Sequence, residues 1–235
     1  MHADAPSAHV RTVFATKQIH MRNDRYLRVA RLMLSTTRMN YRLGILGLAI
    51  LMLSGCHANL YSTPRTVPTG KTQHIVAVDV EDYSSIPAMV YIARRGLADR
   101  VDMGFTVSST LGLDLKINAV RTEYFDLAVD PSVSAAFISM GVGGHEFFTA
   151  AVPVIMGLNL HQRMTLVAQA GPAISNYDGT SVFARIGGGL QIRATDLVMI
   201  QPEFTAQFIE PDKPLTTIGI GFGFGPQPKY DAPRD

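Results

Sequence analysis

Cys56 is the single cysteine of the chain and supplies its only thiol, which is a nucleophile. The residues around Cys56 indicate the reaction in which this thiol takes part. This cysteine ends the run Leu53-Ser54-Gly55-Cys56, which directly follows an uncharged apolar stretch over residues 43–52. Arg38 and Arg42 stand on the N-terminal side of this stretch. A basic region, about 7–15 apolar residues and then small residues form a secretory signal, whereas a transmembrane helix needs roughly 20 apolar residues. The pattern therefore predicts export, with an N-terminal membrane helix and a buried Cys56 as the alternative.

The run Leu53-Ser54-Gly55-Cys56 resembles the lipobox of bacterial lipoproteins, in which the cysteine becomes the lipidated first residue of the mature protein. This resemblance implies that residues 1–55 are a leader and signal peptide, with Met39 as an alternative translation start. It also implies a covalent lipid on Cys56 that anchors the chain. His57 follows, whereas inner-membrane retention in lipoprotein families is associated with Asp at that position. The resemblance thus implies sorting to the bacterial outer membrane.

Removal of the leader changes the charge of the protein. The first 56 residues hold 8 of the 21 Lys and Arg residues and 2 of the 19 Asp and Glu residues, so the remainder carries a net charge of −4. An acidic mature chain does not have the basic face of a nucleic-acid-binding protein. With Cys56 lipidated, no thiol remains for a disulfide or a cysteine-based metal site.

Two short motifs resemble catalytic signatures but are incomplete. Gly70-Lys71-Thr72 matches the end of a phosphate-binding P-loop, but Arg65 stands where the first glycine of that motif is required. His145-Glu146 lacks the second histidine of a zinc protease helix. We therefore expect neither a nucleotide site nor a metal site.

The mature chain has the period-2 pattern of β-strands. Residues 57–70 are rich in Pro, Thr and Ser without periodicity, and we interpret 56–71 as an extended tether. In the segments that follow, apolar residues occupy every second position, so that the odd or the even positions of a segment (one parity) are apolar. These segments are 101–107, 113–117, 127–137, 148–160, 163–174, 181–193, 197–208 and 216–225. Two weaker segments lie near 72–80 and 87–94. The pattern predicts about ten strands, with short and longer connections alternating as in an up-and-down meander.

Strands of this kind form either a transmembrane β-barrel with its apolar faces toward lipid, or a soluble barrel or sandwich with those faces inside. The longer segments match the roughly 9–11 residues that cross the hydrocarbon core, and the polar faces are rich in Gly, Ser, Thr and Gln. The pattern over residues 72–224 resembles small bacterial outer-membrane β-barrels, and Gly219–Phe224 resembles their aromatic-rich closing strand. We therefore predict an all-β, antiparallel, up-and-down transmembrane barrel at 72–225, followed by a C-terminal tail at 226–235.

A ring of about ten strands has a narrow lumen, because open aqueous channels appear at 16–18 strands. We predict that a hydrogen-bonded and ionic cluster fills this lumen, formed by Arg185, Glu203, Gln169, Gln191 and Gln207. Four more carboxylates share the inward parity, namely Asp102, Asp114, Asp126 and Asp130. A cation site or an acid–base pair is one interpretation of them, and ion pairing with Lys116 is the interpretation that we favour.

The sequence predicts a structural or interaction role in the cell envelope, in contact with outer-membrane lipid and without a cofactor beyond the lipid on Cys56. Narrow-pore transport is one alternative, and a lipid-tethered soluble barrel that binds a small hydrophobic ligand is another. A lipid-modifying barrel enzyme is the third, since four Ser and His residues lie near one predicted rim, namely Ser108, Ser109, Ser139 and His145. Nothing in their spacing brings a serine within hydrogen-bond reach of a histidine, so we expect no catalytic activity.

Overall fold

The computed structural model describes residues 59–82, 84–136, 147–176, 179–210 and 213–228. Cys56, the leader and the last residues of the tail lie outside this part of the chain. The described residues form twelve strand segments, which are β1 (Thr72–Glu81), β2 (Ser84–Ala98), β3 (Val101–Val107), β4 (Leu111–Arg121), β5 (Phe125–Val129), β6 (Ser132–Ala136), β7 (Phe147–Ala151), β8 (Val154–His161), β9 (Met164–Ser175), β10 (Ser181–Arg193), β11 (Val198–Glu210) and β12 (Lys213–Phe224). Within the same residues, no helix is long and apolar enough to cross a membrane.

The segments pair into one closed antiparallel ring. β1 pairs with β2 on one side and with β12 on the other, which closes the sheet on itself. β5 and β6 both pair with β4, and β7 and β8 both pair with β9, so each of these couples is one interrupted strand. Pro131 and Pro153 lie at the two interruptions, because proline has no N–H to donate to the ladder. The described part of the chain is therefore a ten-stranded up-and-down barrel, as the sequence predicted.

The barrel turns its apolar faces outward. The exposed large hydrophobic residues include one parity of nearly every strand, such as Leu113 and Leu115 on β4 and Phe222 and Phe224 on β12. The opposite parity is buried and largely polar, with Lys116 and Gln201 among the largest side chains that are fully enclosed. This is the arrangement of a transmembrane barrel. The alternative of a soluble barrel with an apolar interior is therefore wrong.

One sector of the interior is apolar, and it explains why the first two strands alternate weakly in sequence. Val76 and Val78 of β1 face outward, and Ile75 and Ala77 of the same strand are buried inside. The inner residues form a small core, which contains Tyr61, Ile75, Ala77, Val90, Ile92 and Met199. The middle of β1 is thus apolar on both faces, because Val76 and Val78 contact the exterior while Ile75 and Ala77 pack beside Tyr61.

The connections between strands fall on two rims, and the two longest connections, 137–146 and 176–180, belong to the same rim. The rim that we call the turn rim carries the connections at 99–100, 122–124, 162–163 and 194–197, together with the start of β1 and the end of β12. The loop rim carries the connections that follow β1, β3, β6, β9 and β11. The longest connection, at 137–146, belongs to the loop rim and lies outside the described residues.

Candidate functional site in the barrel lumen

The lumen is occupied by the chain that precedes β1. Residues 59–68, which we call the lumen segment, were assigned to an extended tether from the sequence, and the structure instead places them inside the barrel. The segment is almost wholly enclosed, with Asn59, Tyr61, Ser62, Thr63, Arg65, Thr66 and Val67 each at most 5% exposed. A free tether would leave these side chains in solvent. The reason for the difference is that the inward faces of the strands offer partners to nearly every polar group of the segment.

Tyr61 is the apolar anchor of the lumen segment. Its ring packs in the small core beside Ile75 and Ile92 and lies over the glycine face of β12, where a side chain at Gly219 or Gly221 would overlap it. Tyr61 has φ of 46°, in the left-handed region that costs an ordinary residue about 1–3 kcal/mol. Packing on all sides of the ring holds this backbone conformation.

The polar end of Tyr61 is also satisfied. Its hydroxyl donates a hydrogen bond to the carboxylate of Asp79, and Asn59 Nδ2 donates to the same carboxylate at 2.8 Å. Tyr61 is 1% exposed, so this carboxylate is the acceptor that satisfies its enclosed hydroxyl.

Glu203 on β11 binds the backbone of the lumen segment. Its Oε1 accepts from the backbone N–H of Leu60 at 2.8 Å, and its Oε2 accepts from that of Tyr61 at 2.9 Å. Gln169 Nε2 donates to Oε1 at 2.6 Å, and Gln201 Nε2 donates to Oε2 at 3.2 Å. Each carboxylate oxygen thus receives two donors, which is why a buried glutamate is stable at this position.

Arg65 binds the opposite wall of the barrel. Its Nε donates to Asp126 Oδ2 at 2.9 Å, with both side chains buried, and its Nη2 donates to the carbonyl of Thr122 at 2.8 Å. Asn118 Nδ2 donates to the carbonyl of Pro64 at 3.0 Å. These contacts hold the middle of the lumen segment to β4 and β5.

Asp102 on β3 joins the segment to an ion-pair network. It accepts from the backbone N–H of Val67 at 2.8 Å and pairs with Lys116 Nζ at 3.2 Å. Arg94 on β2 contacts the same carboxylate at 3.0 Å and also pairs with Asp114 and Asp130. One guanidinium thus serves three carboxylates. The interpretation of these aspartates as ion-paired lumen residues with Lys116 agrees with this geometry. Arg94, which contacts three of them, was not among the predicted lumen residues.

The five residues of the predicted lumen cluster all lie on inward-facing positions, but they do not form one connected cluster. Gln169 and Glu203 are hydrogen-bonded, whereas Gln191 Nε2 donates to the sulfur of Met199. Arg185 and Gln207 stand opposite each other in the β10–β11 register. The buried Nε of Arg185 has no hydrogen-bond partner among the described residues. The lumen segment, and not this set alone, fills the barrel.

Residues after β12 close the turn rim. Gln227 is buried, its Oε1 accepts from Gln73 Nε2 at 2.5 Å, and its backbone N–H donates to the carbonyl of Asp196. The side chain of Arg193 donates to the carbonyl of Pro228. The first residues of the predicted C-terminal tail are therefore part of the barrel end.

A cavity of about 70 Å³ remains between the lumen segment and the loop rim. Leu60, Arg94 and Arg185 line it, together with Thr106, Asp114 and Ser134. A cavity of this size is far below the roughly 300–1,000 Å³ of pockets for drug-sized ligands. Within the described residues, no group of three or more His, Asp or Glu side chains is placed to hold a metal ion.

The residues of the hypothetical enzyme site are only partly described. The hydroxyl of Ser108 contacts Thr110 in the loop-rim turn. Ser139 and His145 lie outside the described residues. The geometry of the described lumen therefore indicates occlusion of the barrel, with the inward carboxylates engaged by arginines, lysine and the backbone of the lumen segment.

In the comparisons with known proteins, this chain is similar to solved structures of β-barrels. No family model matches the chain, and no curated protein matches it. The N-terminal β-barrel domain of Pseudomonas aeruginosa OprF is 13% identical with a TM-score of 0.36, over 67% of this chain and 98% of that one. Yersinia pestis Ail in a phospholipid nanodisc is 11% identical with a TM-score of 0.39, over 66% and 99%. Neisserial surface protein A is 11% identical with a TM-score of 0.32, over 66% and 94%. At these values the similarity does not extend to function or ligand.

Proposed function

We propose that this protein is a lipid-anchored outer-membrane barrel with a closed lumen, which has a structural or interaction role in the cell envelope. The observation that carries the proposal is the combination of an apolar exterior with a lumen that the chain's own residues 59–68 occupy. Such an exterior suits the hydrocarbon core of a membrane, where a closed ring satisfies all backbone hydrogen bonds internally. Short turns of outer-membrane barrels face the periplasm, so we assign the turn rim to that side.

The proposal includes neither catalysis nor solute transport. The inward charged groups are engaged in holding the lumen segment, as Asp79, Asp126 and Glu203 illustrate. Groups used in this way are not available to bind a passing solute. Narrow-pore transport remains the second candidate, because a conducting path would open if the segment left the lumen.

Two measurements test the proposal. The first is the gel mobility of the membrane-extracted protein in SDS with and without heating, since a closed barrel resists SDS until it is heated. The second is conductance in planar bilayers. We expect a heat-dependent shift and no steady conductance. A protein without the shift, or one that is released in water-soluble form by Cys56→Ala, would contradict membrane insertion, and steady ion conductance would favour transport.

A further inference from the structure

The lumen segment runs lengthwise through the barrel, and its direction is defined by contacts at both ends. At its C-terminal end, Thr66 donates to the carbonyl of Asp99 and Thr69 bridges to Gly96, both at the turn rim. At its N-terminal end, Leu60 lines the cavity that Thr106 and Ser134 border near the loop rim. The chain therefore passes from the loop-rim half of the lumen to the turn rim, and only then starts β1.

The depth of Asn59 limits where Cys56 can be. Asn59 is bonded to Asp79, which lies seven residues along β1 from Thr72 at the turn rim. At about 3.3 Å per residue and a strand tilt of about 40°, Asp79 lies roughly 18 Å above the turn rim along β1, and roughly 13 Å along β12, where its register partner Gly219 is five residues from Phe224. Cys56 precedes Asn59 by three residues, a reach of at most about 11 Å. The extended length of these three residues is thus shorter than the height of Asp79 above the turn rim on either strand.

We infer that the chain enters the barrel through the loop rim, so that Cys56 and its lipid lie on the same side of the membrane as the longer loops. This inference rests on the proposed function, because it takes the lipid and the membrane orientation from there. β1 ends at Glu81, only two residues beyond Asp79, so the loop rim is within reach of Cys56. On a bacterial cell this side is the exterior, and the acyl chains belong in the outer leaflet.

An even number of strands puts both ends of the barrel at the turn rim. A free tether before β1 would keep the anchor on that side too, but the threaded segment separates the anchor from the start of β1. To place the lipid in the periplasmic leaflet, residues 59–62 would have to leave the lumen and give up the contacts with Asp79 and Glu203.

The test compares the side of Cys56 with the sides of the two rims. The full-length protein receives a short epitope between His57 and Ala58, and matched proteins receive it after Gly179 for the loop rim or after Asp196 for the turn rim. Antibody binding is measured on intact and on permeabilised cells, and heat-dependent gel mobility verifies that each barrel is folded. We expect the His57 epitope to be bound on intact cells to the same extent as the Gly179 epitope. Binding only after permeabilisation, as for the Asp196 epitope, would overturn the inference.

The controls separate this inference from the proposed function. Exposure of the Asp196 epitope alone on intact cells would refute the assigned orientation, while the His57 epitope would still report which rim the chain enters. Incorporation of labelled palmitate, lost in Cys56→Ala, tests the lipid, and its absence would refute the statement about the leaflet.

If the His57 insertion does not fold, His57→Cys replaces it, with Thr180→Cys and Asp196→Cys as rim controls. The rate at which each introduced thiol reacts with a membrane-impermeant reagent is then measured on intact cells. If the thiol of His57→Cys reacts no faster than the thiol of Asp196→Cys, the inference is overturned.

Discussion

Tyr61 of the lumen segment fills the space that the missing side chain of Gly221 leaves on β12. A Cβ atom at Gly221 would lie 2.7 Å from Cδ1 of the Tyr61 ring, closer than real Cβ atoms approach a neighbour. The glycines of β12 alternate strictly in the sequence, and this packing gives the reason for at least two of them. A strand face without side chains is a groove in which an aromatic ring of another segment can lie.

This packing predicts a coupled pair of substitutions. Gly221→Ala should lower the free energy of unfolding by about 1–3 kcal/mol because it overpacks the ring. Tyr61→Ala should lower it by about 3–5 kcal/mol because it empties the core. The double variant should cost no more than Tyr61→Ala alone, since the added methyl group then meets no ring. Urea titration of the folded fraction measures each value. Gly112→Ala, whose Cβ meets ordinary contacts, is the control, and fully additive costs would contradict the packing.

Arg94 should be indispensable to the ion-pair network. Arg94→Met removes the guanidinium that three buried carboxylates share, so we expect a loss of about 3–5 kcal/mol in the free energy of unfolding. Arg163→Met, at an exposed turn-rim position, should change it by less than about 0.5 kcal/mol. The same urea titration compares the two variants. Equal stability of Arg94→Met and the wild type would refute the role of Arg94.

Glu203 should require both of its oxygens as acceptors. In Glu203→Gln one oxygen becomes an NH₂ group that faces two donors, so we expect a loss of about 1–3 kcal/mol in the free energy of unfolding. Glu210→Gln, an exposed change at the loop rim, serves as the matched control and should be neutral. Gel mobility after heating to a series of temperatures gives the temperature at which the folded barrel converts to the unfolded form. This temperature should fall for the Glu203 variant and stay unchanged for the Glu210 variant.

Loosening of the lumen segment should open the barrel to ions. The double variant Tyr61→Ala/Arg65→Ala removes the apolar anchor and the partner of Asp126, so the segment loses contacts with both walls. We expect intermittent conductance in planar bilayers that favours potassium over chloride, because Asp79, Asp126 and Glu203 become exposed. Tyr124→Ala, at an exposed rim tyrosine, should behave as the wild type. A silent double variant that remains folded would show that other residues occlude the lumen.

Sequence patterns were sufficient where a strand has one apolar face. The strict alternation of β4, β9, β11 and β12 predicted both the strands and the inward position of Lys116, Gln169 and Glu203, since a period of two fixes the face of every residue. The pattern was weaker in β1 and β2. There the inner residues Ile75, Val90 and Ile92 are as apolar as the outer ones, because they pack around a ring from another segment.

The inward position of Arg94 could have been predicted from the alternation of strand residues alone. Arg94 and Arg95 are adjacent in a strand, so one of them must point into the barrel whichever face is apolar. The structure buries Arg94 and exposes Arg95. Its three carboxylate partners come from β3, β4 and the junction of β5 with β6, and no spacing along the chain relates them.

The sequence by itself determined the strand number, the up-and-down order and the polar face of each strand, because these follow from local alternation and connection length. Only the tertiary structure decided that the polar faces point inward and what fills the ring. Residues 59–68 have no periodicity, so they look like a linker until the inward faces of strands far apart in sequence are brought together. Their place in the lumen depends on carboxylates at Asp79, Asp102, Asp126 and Glu203, which converge only after the barrel closes.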